Sequence, residues 1–590
     1  MKNFFKIVGA TFVALLLFFG IMVGLSMCSM ASFVAMSDQE TVVEDNSVLR
    51  VKLNTSIVER TSNTEMNILM DALNDVEPSL SITTLRKAFE RAAENQDKIK
   101  AVYLECDLLS ASPATVEEVR GIITKFKSEA PDVKIVAYAD SYSQSSYWLA
   151  TLADSIFINP HGTLGLTGVT AGSVFFTKAL DKLGIEMQIF KVGTFKSAVE
   201  PYILNEMSDA NRLQMQAMVN GIWHEMSSSM AQSRGIDSAV YDEFVNKAGF
   251  LQPTELALEM GLVDGLRYRT DVEDYLRHLP QMNGKSSSKL KYISVQNICK
   301  VSSQKKEGKN RIAVLYALGG IDDNSSDGME SNKIADRLNR LAKDDKIDAV
   351  VLRVNSPGGS AFGSEQMWDA ARRVKAEKPL VVSMSDYAAS GGYYISCVAD
   401  CIVAQPTTLT GSIGIFGMLP NVEGLTEKIG VSFDGVKSHN FADFGDVSRP
   451  MTDTERAVMQ RNINRGYELF VGRCADGRHT TPDSIKSVAE GRVWLGAQAH
   501  NMGVQLVDTL GGLDLAIAIA AKKAGLDYGD FKIVEYPKPK DVYRDLLDRL
   551  SGSLTSLSAP RGIDAYLYQQ YRKVMGHTGV QALMPYTVTL

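Results

Sequence analysis

The chain of 590 residues contains only six cysteines, with no two in a C-x-x-C pair, which excludes a scaffold built on disulfides. It lacks a basic excess: 62 Lys and Arg stand against 69 Asp and Glu. The positive surface expected of a nucleic-acid binder is therefore missing. Beyond residue 37 no apolar stretch is long enough to cross a bilayer, which excludes a polytopic transporter. Histidine is scarce, and none of the seven (His161, His224, His278, His439, His479, His500 and His577) stands in a setting that marks a catalytic base; a spatial partner among them stays open. Apolar residues at 45% and charged residues at 22% describe a folded globular protein rather than a collagen or a disordered tail. Its length exceeds what one hydrophobic core supports. Cys397 and Cys401, four apart among apolar neighbours, read as small core fillers.

The long apolar run that does exist lies at the start. Lys2 and Lys6 precede Ile7–Ser37, which carries no charge. About 20 apolar residues span a bilayer as a helix, whereas a cleavable signal peptide has an apolar core of only ~7–15. The run reads as an uncleaved anchor. Leu25-Ser26-Met27-Cys28 is a poor fit to a lipoprotein cleavage box because Met precedes the Cys. With the lysines before the run and Asp38, Glu40, Glu44 and Asp45 after it, the positive-inside bias places residues 1–37 as cytoplasmic stub and anchor, and everything later outside.

The rest repeats itself. Asp97–Leu104 (D-K-I-K-A-V-Y-L) matches Asp345–Leu352 (D-K-I-D-A-V-V-L), and S-Y-W-L-A-T-L-A-D ending at Asp154 matches G-Y-Y-I-S-C-V-A-D ending at Asp400, 246 residues later. The same offset lays Pro160 on Pro406, Gly165 on Gly411 and Gly168 on Gly414. Each copy follows an amphipathic helical stretch, with Leu85, Phe89 and Ala92 in one and Ile334, Leu338 and Leu341 in the other. Apolar runs at Ile312–Tyr316, Ala349–Val354 and Leu380–Met384 alternate with helical patterns such as Ser364–Ala376, which predicts an α/β fold with mainly parallel strands. The expected organisation is a first repeat over 38–288, a linker over 289–309, a second repeat over 310–537, and a helical tail over 538–590.

Two loops of the second repeat carry candidate chemistry. Asn355–Ser360 (N-S-P-G-G-S) follows a strand and precedes a helix, and its glycines free backbone N–H groups to meet a developing negative oxygen. Asp386–Tyr394 (D-Y-A-A-S-G-G-Y-Y) places Ser390 at a turn, again at a strand end where ligands of such sheets gather. Each alone reads equally as an ordinary tight turn. A serine needs a base. Lys196, in K-V-G-T-F-K-S-A-V-E-P-Y (Lys191–Tyr202), would serve if burial lowered its pKa, although alone it reads as a surface lysine. The offset lays Ser390 opposite Gln144, and Lys196 opposite Ala442. Each repeat lacks what the other has, which suggests one composite site.

These residues resemble the signal peptide peptidase A (protease IV) family in its long two-repeat bacterial form. The most specific matches are G-T-F-K-S-A-V-E-P-Y, N-S-P-G-G, D-Y-A-A-S-G-G-Y-Y, L-T-G-S-I-G-I-F-G (Leu409–Gly417) and the closing G-R-V-W-L-G-A-Q-A-H-N-M-G (Gly491–Gly503). The resemblance implies tandem ClpP/crotonase-like α/β repeats behind an N-terminal transmembrane helix, with Ser390 as nucleophile and Lys196 as general base. It also implies Ser412 assisting the lysine, and Gly359 and Gly391 as oxyanion donors. No metal or cofactor is implied. The implied substrates are apolar peptides, namely cleaved signal peptides, and the implied assembly is a homotetramer on the outer face of the inner membrane. Two rival readings remain: an acyl-CoA enzyme of the crotonase type, and a catalytically silent membrane scaffold that kept the fold.

Overall fold

A computed structural model describes residues 41–60, 80–282, 289–304, 308–322, 329–527, 529–538 and 579–583, with isolated positions at 6, 11, 14 and 18. The expected anchor over 7–37 lies outside this set apart from isolated positions. Among the described residues no helix is long and apolar enough to cross a membrane.

Each repeat is built on its own sheet, parallel throughout in the first and parallel in the second except for the antiparallel edge strand Val493–Leu495. The first has six strands in the order Gly265–Leu266, Ser155–Ile158, Lys134–Ala139, Ile99–Glu105, Ser47–Lys52, Lys291–Ser294. The central path of the second runs Val493–Leu495, Leu409–Gly411, Leu380–Ala389, Ala349–Ser356, Asn310–Leu318, Phe531–Tyr536. Its inner strands are mostly apolar because helices cover both faces; Val350, Val351, Leu352 and Val354 are all buried. The helices flanking them, Ile82–Glu94 and Ser331–Ala342, turn Leu85, Phe89 and Ala92, and Leu338 and Leu341, into their respective cores. Cys397 and Cys401 are buried and unpaired, as core fillers should be.

The duplication extends to single hydrogen bonds. The Asp154 carboxylate accepts the Ile135 N–H at 2.8 Å, and the Asp400 carboxylate accepts the Leu380 N–H at 2.9 Å. Asp264 does the same for Ile156, and Asp508 for Ile402, each at 2.7 Å. An arginine at the end of a long helix pairs with each of the latter two, Arg234 with Asp264 and Arg478 with Asp508.

Three features depart from the expected organisation. The stretch 289–309 is not simply a linker: Lys291–Ser294 pairs in parallel with Ser47–Lys52 as the edge of the first sheet, and Ile298 joins the first core. Glu186–Lys191, though part of the first repeat in sequence, pairs antiparallel with Phe416–Asn421 of the second. The tail, expected to be helical, contributes in its described part a strand, Gly579–Leu583; the rest lies outside the described residues. That strand lies between Gly358–Ser360 and Phe416–Met418, antiparallel to both.

Candidate active site

The first repeat reaches the second through an arm. After Glu186–Lys191 has joined the second repeat's strand, the Val192 N–H donates to the Ile415 carbonyl (3.2 Å) and the Phe195 N–H to the Glu490 carbonyl (3.0 Å). A 3-10 turn, Ser197–Tyr202, follows. Gln214 locks it: its amide nitrogen donates to the Phe195 carbonyl and to Ser197 Oγ, while its amide oxygen accepts the Val493 N–H. Lys196 is thereby driven inward and is 1% exposed.

Its amine ends among serines. Lys196 Nζ lies 2.8 Å from Ser390 Oγ, 3.1 Å from Ser412 Oγ and 3.1 Å from the Ser412 carbonyl oxygen. Burial pulls the lysine down from 10.5 to about 7, because the charged form loses its hydration. Proton directions then follow. Ser412 Oγ donates to the Gly491 carbonyl at 3.3 Å, so its lone pairs face the amine. A neutral amine can give one N–H to Ser412 Oγ and the other to the Ser412 carbonyl. Its lone pair is left for the Ser390 hydroxyl.

Two glycines make room for the lysine stem. A Cβ on Gly491 would stand 2.6 Å from Lys196 Cβ and 2.8 Å from its backbone nitrogen, and the residue has φ +77°. A Cβ on Gly414 would stand 3.3 Å from Lys196 Cδ. Neither role was visible in the sequence, where both glycines appeared only within repeated or family-like motifs. The substitution Gly491→Ala is expected to lower peptide hydrolysis by roughly tenfold or more, since ångström displacements of reacting groups have large rate effects. Steady-state kinetics beside a circular-dichroism check of folding would measure it.

Ser390 ends the strand Leu380–Ala389 and opens the helix Gly391–Ser396 with φ +55° and ψ −114°, a conformation unusual for a residue with a side chain. Its N–H is held by the Gly411 carbonyl at 2.8 Å. Gly391 begins the helix, where N–H groups have no partner within the helix. The Asn355–Ser360 turn packs directly against this turn: a Cβ on Gly392 would stand 2.6 Å from the Ser356 carbonyl oxygen. Gly359, at φ +154°, abuts Ile321, whose oxygen would be 2.1 Å from an added Cβ. The structure thus gathers Ser390, Lys196 and Ser412 into direct contact and sets the turns bearing Gly359 and Gly391 side by side.

The corresponding place in the first repeat is closed. Gln144, opposite Ser390, is buried; its amide oxygen accepts the Thr167 and Gly168 N–H groups and its nitrogen donates to the Gly168 carbonyl, each at 3.0 Å. Ala442, opposite Lys196, is exposed on the surface.

The model of peptidase family S49 matches residues 127–283 and again 372–527, one block in each repeat. The chain is 35% identical to Protease 4 of Haemophilus influenzae over 76% of its own length and 74% of that protein's. It is 33% identical to Protease 4 of Salmonella typhi over 81% and 77%. The chain belongs to peptidase family S49. A chloroplastic serine protease SPPA of Arabidopsis thaliana is 29% identical over 86% of this chain and 74% of that one. Among solved structures, a ClpP1 mutant of Listeria monocytogenes gives a TM-score of 0.24 at 13% identity, over 35% of this chain and 94% of that one. As an S49 member the chain is a serine peptidase with two α/β repeats, and the matched blocks contain Lys196 in the first and Ser390 in the second.

Proposed function

We propose that the chain is a membrane-anchored endopeptidase that degrades cleaved signal peptides with Ser390 as nucleophile and Lys196 as general base. The observation that carries this reading is the 2.8 Å approach of Nζ to Oγ in a pocket that excludes water from the amine. Lys196 takes the Ser390 proton as Oγ attacks a peptide carbonyl. The Gly359 and Gly391 N–H groups hold the oxyanion, each contributing about 3 kcal/mol. The lysine ammonium then protonates the departing amine. Water, deprotonated by the same lysine, splits the acyl ester and frees Ser390. Ser412 keeps the amine's lone pair aimed at Oγ throughout.

The strand Gly579–Leu583 lies antiparallel beside Gly358–Ser360, with Ala582 opposite Gly359, so the backbone next to Ser390 takes an extended segment as a paired strand, the way an extended peptide would bind by backbone pairing. A peptide reading is favoured by this over an acyl-CoA thioester. The apolar run at 7–37 would place the site near a bilayer, on the exported side of the inner membrane, where leftover signal peptides lie. The test is hydrolysis of an apolar fluorogenic peptide by the detergent-solubilised full chain. Ser390→Ala should abolish it and Gln144→Ala should leave it intact; activity surviving in the serine variant rejects the reading.

The reading includes assembly into a homotetramer. What supports it is the arm's counterpart in the second repeat. By the repeat offset, residues 432–437 correspond to Glu186–Lys191, yet Phe433 and Val436 there are 61% and 102% exposed. Residues 170–175 correspond to Phe416–Asn421, and Val174 is 70% exposed. Within the chain Glu186–Lys191 pairs with Phe416–Asn421; the leftover segments 432–437 and 170–175 would meet between copies, head to tail, and such contacts form rings where the rotation between copies closes. The double substitution Phe433→Asp and Val436→Asp is expected to release single chains, read by light scattering in detergent.

A further inference from the structure

The ladder between the strands Ala349–Ser356 and Leu380–Ala389 runs in step from Val350 opposite Leu380 to Val354 opposite Met384, and then breaks. The next pair is Ser356 with Ala388, so three residues, Ser385–Tyr387, face the single Asn355. Such a bulge re-aims the strand and interrupts its pairing with Ala349–Ser356 over Ser385–Tyr387, while its far edge stays paired with Leu409–Gly411. Both turns of the site emerge here: Gly359 lies four residues beyond Asn355, and Ser390 four beyond Asp386.

Side chains bridge the interruption. Asn355 Nδ2 donates to Asp386 Oδ2 at 3.2 Å, and Asn355 Oδ1 accepts the Tyr387 N–H at 3.2 Å. Asp386 Oδ1 accepts both the backbone N–H and the hydroxyl of Thr115, each at 2.9 Å. Thr115 belongs to the first turn of the helix Pro113–Glu129 in the other repeat, whose own N-cap, Ser112, makes no side-chain capping bond. A helix N-terminus has free N–H donors and a partial positive charge. Asp386 supplies the missing acceptor from across the repeat boundary.

We propose that Thr115, Asp386 and Asn355 form a positioning relay through which the first repeat sets the spacing between the Ser390 turn and the Gly358–Gly359 turn. The first repeat thus supplies alignment of the nucleophile as well as the lysine. This rests on Ser390 being the nucleophile. The structural twin of Asp386 in the first repeat, Asp140, holds local groups instead. It accepts from the Tyr138 hydroxyl (2.6 Å) and Asn159 Nδ2 (3.0 Å) and pairs with Arg269 (3.2 Å), and it serves as the control.

The test uses the full chain, with kcat, KM and the rate of Ser390 labelling by a fluorophosphonate all expressed per folded molecule. Asp386→Ala is expected to lower kcat and the labelling rate together by roughly tenfold or more, with KM within about twofold. Thr115→Val should lose part of this, and Thr115→Ser, which keeps the hydroxyl, should restore it. Asp386→Ala combined with Asn355→Ala should be no worse than the worse single variant. Asp140→Asn should match the wild type. Unchanged kcat and labelling in Asp386→Ala would overturn the relay. Should that variant not fold, equal kcat in Thr115→Val and Thr115→Ser would overturn it instead. Wild-type hydrolysis that Ser390→Ala abolishes keeps the nucleophile assignment standing whichever way the relay variants fall.

Discussion

Lys196→Met is expected to lower peptide hydrolysis at least roughly 10³-fold and, at the same time, to make the chain more stable. Both effects come from one cause. The amine is buried with no carboxylate beside it among the described residues, and burial lowers its pKa from 10.5 to about 7. In the unfolded chain the lysine holds its proton up to about pH 10.5. Folding at lower pH therefore means either releasing that proton or burying the charge. The penalty is full below pH about 7 and shrinks as pH rises towards 10.5. Methionine removes it, so the gain, of the order of a few kcal/mol, should be largest at pH 7 and below and vanish near pH 10.5. Thermal melts at three pH values would measure it. Hydrolysis by the wild type should follow the same group in the opposite sense of use: a base must be neutral, so the rate rises through pH about 7 and then levels.

The second large effect concerns the join between repeats. Arg353 sits on a central strand of the second sheet with no exposed surface. Its guanidinium grips Glu59 of the first repeat with two bonds, at 2.9 and 3.0 Å, and also reaches Ser383 (2.8 Å), the Met384 carbonyl (3.3 Å) and Glu118 (3.4 Å). Glu118 in turn accepts from Gln405 and from the Leu513 N–H. Removing only the cation leaves two carboxylates in a dry interior. Arg353→Ala is expected to destabilise the chain by roughly 3–5 kcal/mol, measured by urea unfolding. Adding Glu59→Gln should recover part of the loss, because the uncompensated charge rather than the lost packing dominates the cost.

Much of this architecture was legible in the sequence because duplication and apolar runs are long-range signals. The strands around Ala349–Val354 and Leu380–Met384 are buried on both faces and read as largely apolar stretches broken only by Arg353 and Ser383, and the complementary gaps at Gln144 and Ala442 pointed to a shared site. What escaped was local and short. Lys291–Ser294 carries too few residues and too little apolar character to announce a strand, so its stretch read as linker. Gly358–Ser360 has glycines where strand-forming residues would be expected, and it becomes a strand only because neighbours pair with it. The relay through Thr115 was hidden for a different reason: its partner Asp386 is 271 residues away. A helix lacking its own cap signals only that some acceptor is needed. The sequence does not say which.

The most direct measurement is the site and rate of fluorophosphonate attachment, located by mass spectrometry, in the wild type and in Lys196→Met across pH 5–9. The account predicts an adduct on Ser390 that forms faster as pH rises through about 7 in the wild type, and slowly without that rise in the variant. An adduct on another residue, or an equal rate with Lys196 replaced, would contradict it.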